Sequence, residues 1–372
     1  MCIRDSSAAG YRTAAVTNAN FVSRAYAMDR GFEWFQELGA WDTARTFAAA
    51  LELLDAADER PTFLFVHSYR THWPYVAPPA PGTAAPDPAD AELLRQMFDA
   101  WMRRRELAGD ATITSRLFDG DWLELLRLLA MDRAGGEGPA ADAEVQQMSA
   151  RLRRLYAGAV RDFDASFGRL LADLEQRRFL ERGLLVFTSD HGEAFAEHDM
   201  LFHGAGPWEE LLRVPLFLAG AGIEPGLSDA TASLVDLPRT LAQAAGVAPD
   251  PSWSGRSLIG ARDAIPAYAF DCRVRGDPLA VLIDADDKAV LPAADAEGPF
   301  ERLEHRFDLR ADPAERADQA GRDAASDAAL FERHREELKR ILTARGVPQA
   351  RTLTALEVQR LEAIGYGGLG DD

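Results

Sequence analysis

The chain has 372 residues, 47% hydrophobic and 27% charged, enough apolar side chains to bury a sizeable core and too many for wholesale disorder. Lys+Arg 41 against Asp+Glu 60 leaves −19, which argues against a general nucleic-acid binder, since that needs a basic face. Two cysteines, Cys2 and Cys272, exclude a disulfide scaffold and a cysteine-rich metal site. No apolar run reaches the roughly 18 residues of a transmembrane helix, and Met1 to Gly10 lacks the apolar region of a signal peptide.

Ala8 to Asn18 reads as a helix end, a Gly10 cap and a strand at Arg12 to Thr17. No helix is legible before that cap. Residues 1–7 are therefore expected to be a non-native leader on a chain that begins mid-domain. Further strands are predicted at Thr62 to His67, Leu184 to Ser189 and Val214 to Leu218. Pro78 to Asp90 reads as an exposed Pro/Ala-rich loop. Ala91 to Met131 reads as two amphipathic helices with Trp101 and Trp122 as core anchors, followed by a Gly-rich break at Ala134 to Pro139.

The clearest helix runs from Asp142 to Arg178, where Val145, Met148, Leu152, Leu155, Ala159, Phe163, Phe167, Leu170 and Leu174 recur at three- and four-residue steps. Another runs from Asp236 to Ala245 and stops at Gly246. From about Ile265 the pattern changes to short alternating runs, Ala267 to Asp271, Ala280 to Ile283 and Leu303 to Leu309. These predict a small antiparallel sheet with a charged helix at Asp327 to Arg345 packed on it. His305 and that Glu/Arg-rich helix read as solvated surface. The expected class is α/β, a mostly parallel central sheet flanked by helices. Residues 8–264 form the main domain with a helical insertion at 82–140, and residues 265–372 form an antiparallel α+β subdomain.

The densest chemistry lies in Thr188-Ser189-Asp190-His191-Gly192-Glu193, followed by Glu197-His198 and His203-Gly204. Asp190 falls where an apolar strand ends, the edge of a parallel sheet where ligands bind. Adjacent Asp and His offer a hard oxygen and an imidazole nitrogen, half of a divalent-metal site. Gly192 lets the backbone turn sharply. The bland alternative is that Asp190 caps a following helix and His191 lies on the surface. The His-Glu-x-x-His zincin pattern is absent.

This segment, with Trp208-Glu209-Glu210-Leu211-Leu212-Arg213-Val214-Pro215-Leu216, resembles the second half of a sulfatase, within the alkaline phosphatase superfamily. The resemblance extends to Pro61 through His67 with Thr71-His72-Trp73-Pro74-Tyr75, to Ser233 through Gly246 with Gly255-Arg256-Ser257-Leu258, and to Phe307-Asp308-Leu309 with Asp312-Pro313 and Glu315. Gly10-Tyr11-Arg12-Thr13-Ala14 and Asp29 through Glu33 match its entry. The resemblance covers nearly the whole chain apart from residues 82–140.

The resemblance implies an alkaline phosphatase-like fold and a sulfuric ester hydrolase, with Asp190 and His191 as metal ligands. It gives His203 a sulfate-facing role as cation or proton donor, and His72 a contact to the sulfate or leaving oxygen. His72 and His203 are thus the catalytic and substrate-binding candidates, expected in one cleft with Asp190 and His191. His67 reads as a satisfied histidine inside a strand, and His198 stands between a supporting and a surface role. Glu193 either orients a histidine or caps the next helix, the cap being favoured.

One divalent metal is implied, Ca2+ by preference, with Mn2+, Mg2+ or Zn2+ open. The family's Cys/Ser-x-Pro-Ser-Arg segment, which matures to formylglycine, has no counterpart here, and neither does its strand ending in paired aspartates. The chain is accordingly expected to be an N-terminally truncated, inactive fragment whose full-length form hydrolyses a small-molecule or glycan sulfate ester. Rival readings are a phosphodiesterase, phosphonate monoester hydrolase or phosphoethanolamine transferase of the same superfamily, or a non-catalytic binding protein on this scaffold. No nucleic-acid partner or membrane segment is expected. Compartment and oligomeric state are left open.

Overall fold

In the computed structural model, which describes residues 3–18, 21–39, 41–56, 58–73, 75, 82–108, 121–203, 206–260, 266–270, 279–292 and 302–344, the predicted first strand forms as β1 (Arg12–Thr17). A helix does precede it. α1 (Ile3–Ala8) ends before Gly10, whose φ of 84° is left-handed, so the expectation of a cap without a helix is corrected. Six residues that bury only Ser6 are too few for apolar periodicity to show.

The chain divides into two compact units, one of residues 1–109, 124–185 and 219–221, the other of residues 110–123, 186–218 and 222–372. In the first, β1 lies between β2 (Trp34–Glu37) and β3 (Thr62–Val66), parallel to both. Ala14, Ala15 and Val16 have no exposure, which is why this central strand reads as continuous rather than alternating apolar sequence. α2 (Thr43–Asp55), unmarked in the sequence reading, starts where the Asp42 carboxylate accepts from the Arg45 amide at 3.0 Å. It lays Ala49, Ala50 and Leu53 on Ala14 and Val16.

Two helices form where two were predicted, α3 (Pro88–Ala108) and α4 (Asp121–Ala134), but α3 starts at Pro88, inside the stretch expected to be loop, because a proline fits the first turn of a helix. The side chains of Trp101 and Trp122 lie outside the described residues, as do Cys2, Cys272, Gly204 and residues 78–81 of the expected loop. α5 (Pro139–Gln176) is the long predicted helix, and its Leu170 and Leu174 pack on Phe47 and Leu51 of α2.

β4 (Leu184–Thr188) leads into a hairpin, β5 (Ala194–Phe195) and β6 (Leu201–Phe202), then the one-turn α6 (Glu209–Leu212) and β7 (Leu216–Gly220), the partner of β4. β7 starts at Leu216 rather than Val214, because Pro215 brings no amide donor to a ladder. α7 (Leu237–Ala244) follows as predicted.

In the second unit β8 (Ala267–Phe270), β9 (Leu279–Asp284), β10 (Asp287–Pro292) and β11 (His305–Asp308) form an antiparallel sheet in the order β11-β10-β9-β8. Its two faces are separately covered. Ala280, Leu282, Ala289 and Leu291 pack on Leu330, Phe331 and Leu338 of α8 (Ala324–Ala344), while Val281 and Val290 meet Leu212 of α6. The reading of α8 as solvated is corrected on that side: Leu338 has no exposure, since the charges alternate with a buried apolar stripe. His305 is half-exposed, its Nδ1 2.8 Å from Asp318.

Leu338→Ala is expected to lower unfolding free energy by about 2–5 kcal/mol. Glu336→Ala, on the exposed side of α8, is expected to stay within about 0.5 kcal/mol. Chemical denaturation compares the two.

Candidate active site

Past β4 the chain is held in a tight turn. Ser189 Oγ donates to the His191 carbonyl at 2.8 Å, and the His191 amide donates to Asp190 Oδ1 at 3.0 Å. The Gly192 amide donates to the Leu211 carbonyl at 2.8 Å. A Cβ on Gly192 would lie 2.0 Å from the Glu210 carbonyl oxygen, so only glycine lets these two strands of backbone approach. No helix follows. Asp190 and Glu193 therefore cap nothing, and the favoured sequence reading of Glu193 is corrected.

Glu193 instead turns inward. Its Oε1 lies 2.8 Å from His203 Nδ1, with side-chain exposures of only 5% and 11%. A carboxylate accepts, so Nδ1 carries the proton and Nε2 is the nitrogen turned away from Glu193. The His203 ring stacks on that of His191 with centroids 4.2 Å apart. In His191 the Gly192 carbonyl, 2.8 Å from Nδ1, fixes the proton there and leaves the lone pair on Nε2. That Nε2 lies 3.8 Å from Asp190 Oδ2.

An oxygen and a nitrogen so spaced fit an ion bound at about 2.0–2.4 Å from each. Asp190 and His191 are also the more exposed pair, at 76% and 40% of their side chains. Among the described residues, no third His, Cys, Asp or Glu joins them at coordinating spacing.

A second cluster sits at the hairpin tip. His198, Glu210 and Glu315 bring ligand atoms within 4.8 Å of one another. His198 Nδ1 donates to Glu210 Oε1 at 2.7 Å, its Nε2 lies 3.2 Å from the Glu315 carbonyl, and its ring stacks on Trp208 at 4.0 Å. The charge there is already met: Lys288 Nζ lies 2.6 Å from Glu315 Oε1 and 3.0 Å from Glu209 Oε1. Of the three, Glu315 already carries an ammonium partner. Glu209, Glu210, Lys288 and the role of Glu315 were missed from sequence.

His67 and His72 belong to the first unit. The His67 amide donates to the Val16 carbonyl at 2.9 Å, extending the β3 ladder by one residue, and its ring lies against Tyr69 at 4.7 Å. His72 follows on a turn, its amide donating to the Tyr69 carbonyl at 2.9 Å and its Nδ1 lying 2.7 Å from the Trp73 carbonyl. Buried Asn18 braces this turn, accepting from the Tyr69 amide at 3.1 Å and donating to Thr46 Oγ1 at 2.8 Å.

The solved structure of BT4656 in complex with its substrate D-glucosamine-2-N,6-O-disulfate matches 92% of this chain and 81% of that one, with a TM-score of 0.61 at 20% identity. At that identity the likeness shows the fold, an alkaline phosphatase-like α/β class. The family model for sulfatases matches residues 6–247, and the chain belongs to the sulfatase family. Choline-sulfatase of Rhizobium meliloti (strain 1021) is 34% identical over 175 residues, 44% of this chain and 32% of that protein. The multifunctional alkaline phosphatase superfamily protein PehA of Trinickia caryophylli is 29% identical over 220 residues, 56% of this chain and 39% of that protein. The chain thus spans less than two-fifths of the length of either relative.

Gly192→Ala is expected to cost roughly 1–3 kcal/mol of stability by displacing the Glu210 carbonyl. Gly226→Ala, with nothing within 4 Å of its added methyl, is the control expected to leave the denaturation midpoint unchanged.

Proposed function

We propose that the protein acts on sulfuric esters, with Asp190 and His191 as ligands to one divalent metal and His203 facing the sulfuryl group. The observation that carries this is the Asp190–His191 pair, spaced at 3.8 Å for a shared ion, beside a histidine whose orientation Glu193 fixes at 2.8 Å. The metal would supply Lewis-acid polarisation of a sulfuryl oxygen. Glu193 holds the His203 ring, so that Nε2, when protonated, donates to a peripheral or leaving oxygen where negative charge develops. The family resemblance gives His72 a substrate contact. Ca2+ is the preferred ion, as the family resemblance implies, because a site completed by oxygens suits a hard cation.

The 372 residues contain no Cys/Ser-x-Pro-Ser-Arg segment. A mechanism through a covalent nucleophile then gives no measurable turnover from them alone. Two protein ligands leave the remaining positions to water, so the metal is held weakly.

Equilibrium dialysis with Ca2+ and Mn2+, then titration with inorganic sulfate and phosphate, tests this. Sulfate binding is expected to need the metal, to exceed phosphate binding, and to fall at least tenfold in Asp190→Ala and His203→Ala. Metal-independent sulfate binding would contradict the reading, and preferential phosphate binding would favour a phosphoryl-group enzyme. An aryl sulfate assay of the same chain is expected to show no activity. Turnover abolished by Asp190→Ala would show that a nucleophile of another kind is present.

A further inference from the structure

Only two of the 41 basic residues in this chain are lysines, Lys288 and Lys339. Lys288 has no solvent exposure. It lies mid-sheet on β10, opposite Phe307 of β11 and Ile283 of β9, on the face away from α8. Its ammonium reaches Glu209, the first residue of α6, and Glu315, whose side chain is also fully buried. Glu315 Oε2 in turn accepts from the Glu209 amide at 2.7 Å. A slim stem ending in a point charge fits between two single carboxylate oxygens, where a guanidinium would bring five donors.

One of the two carboxylates paired with Lys288, Glu209, opens the helix that holds the hairpin. α6 holds Gly192 through the Leu211 carbonyl and holds the tip through Glu210 and His198. Glu193 and His203 are the residues that flank the two ends of that hairpin. The hairpin is itself strained: Ala196, His198, Asp199 and Phe202 have φ of 75°, 46°, 56° and 66°. Non-glycine residues hold such angles only where surrounding contacts over-determine them.

We infer that Lys288, with Glu315, is a positioning residue for the Glu193–His203 pair, fixing α6 and through it both the base and the tip of the hairpin. The inference rests on the sulfuryl-site reading of that pair. Its primary readout is independent of any ligand: the His203 ring Nδ1–H, observed by NMR of 15N-histidine-labelled full chain and assigned with His203→Gln.

Lys288→Met is expected to stay folded, to lose the slowly exchanging His203 ring proton, and to bind sulfate in the presence of Mn2+ at least tenfold more weakly. Leu291→Ala, on the opposite face of the same strand and packed toward α8, is expected to destabilise the chain yet leave ring proton and affinity unchanged. A folded Lys288→Met that keeps the ring proton would overturn the inference, as would its loss in Leu291→Ala as well. If Lys288→Met does not fold, Glu315→Gln decides by the same comparison. Native-state hydrogen exchange on the unmodified chain needs no variant: the Gly192 and Glu209 amides are expected to open together with β10, and earlier opening would overturn the inference. If the unmodified chain binds no sulfate while the ring proton behaves as expected, the functional reading fails and the positioning role stands.

Discussion

An ammonium with no access to water, set between two glutamates, is the contact on which the second unit depends. Burial pushes the Glu315 carboxyl above its ordinary value, and the adjacent Lys288 charge pulls it back. Such a pair adds little net stability compared with apolar packing, yet removing one partner strands a buried charge at a cost of about 3–5 kcal/mol. Its effect is therefore specificity more than strength. It commits β10, α6 and the Glu315 turn to one arrangement, and the strained hairpin between β5 and β6 is built on that commitment.

The proposed sulfuryl site lies in an acidic chain. Formal charge is −19, which opposes anion binding at long range. At Asp190 and His191 the local rule differs, because a divalent ion there would be the largest nearby charge. Glu193 is nearly buried and bonded to His203, so its negative charge is spent on orienting a ring rather than on facing a substrate.

Much of this was legible in the sequence, for identifiable reasons. β1, β3, β4 and α5 are long or strongly apolar, and Asp190-His191-Gly192 sits at a strand end with its motif intact. β10 was not legible, because Lys288 interrupts the alternation that marks a half-buried strand. α2 went unmarked although Asp42 caps it, and α1 is too short to show a period. The Glu193–His203 bond depends on hairpin pairing between Ala194-Phe195 and Leu201-Phe202, two residues each, below the length at which periodicity speaks. Lys288 did leave a signal: in a chain with only two lysines among its 41 Lys and Arg residues, a lysine beside Ala289-Val290-Leu291 marks a place where a guanidinium does not fit.

A divalent metal is expected at Asp190 and His191, and not among His198, Glu210 and Glu315, where Glu210 is bonded to His198 and Glu315 to Lys288. A crystal soaked in Mn2+ and sulfate, with an anomalous difference map, tests it directly. The account predicts one peak at about 2.0–2.4 Å from Asp190 Oδ2 and His191 Nε2, with sulfate between the ion and His203. A peak among His198, Glu210 and Glu315, with Lys288 displaced, would contradict it.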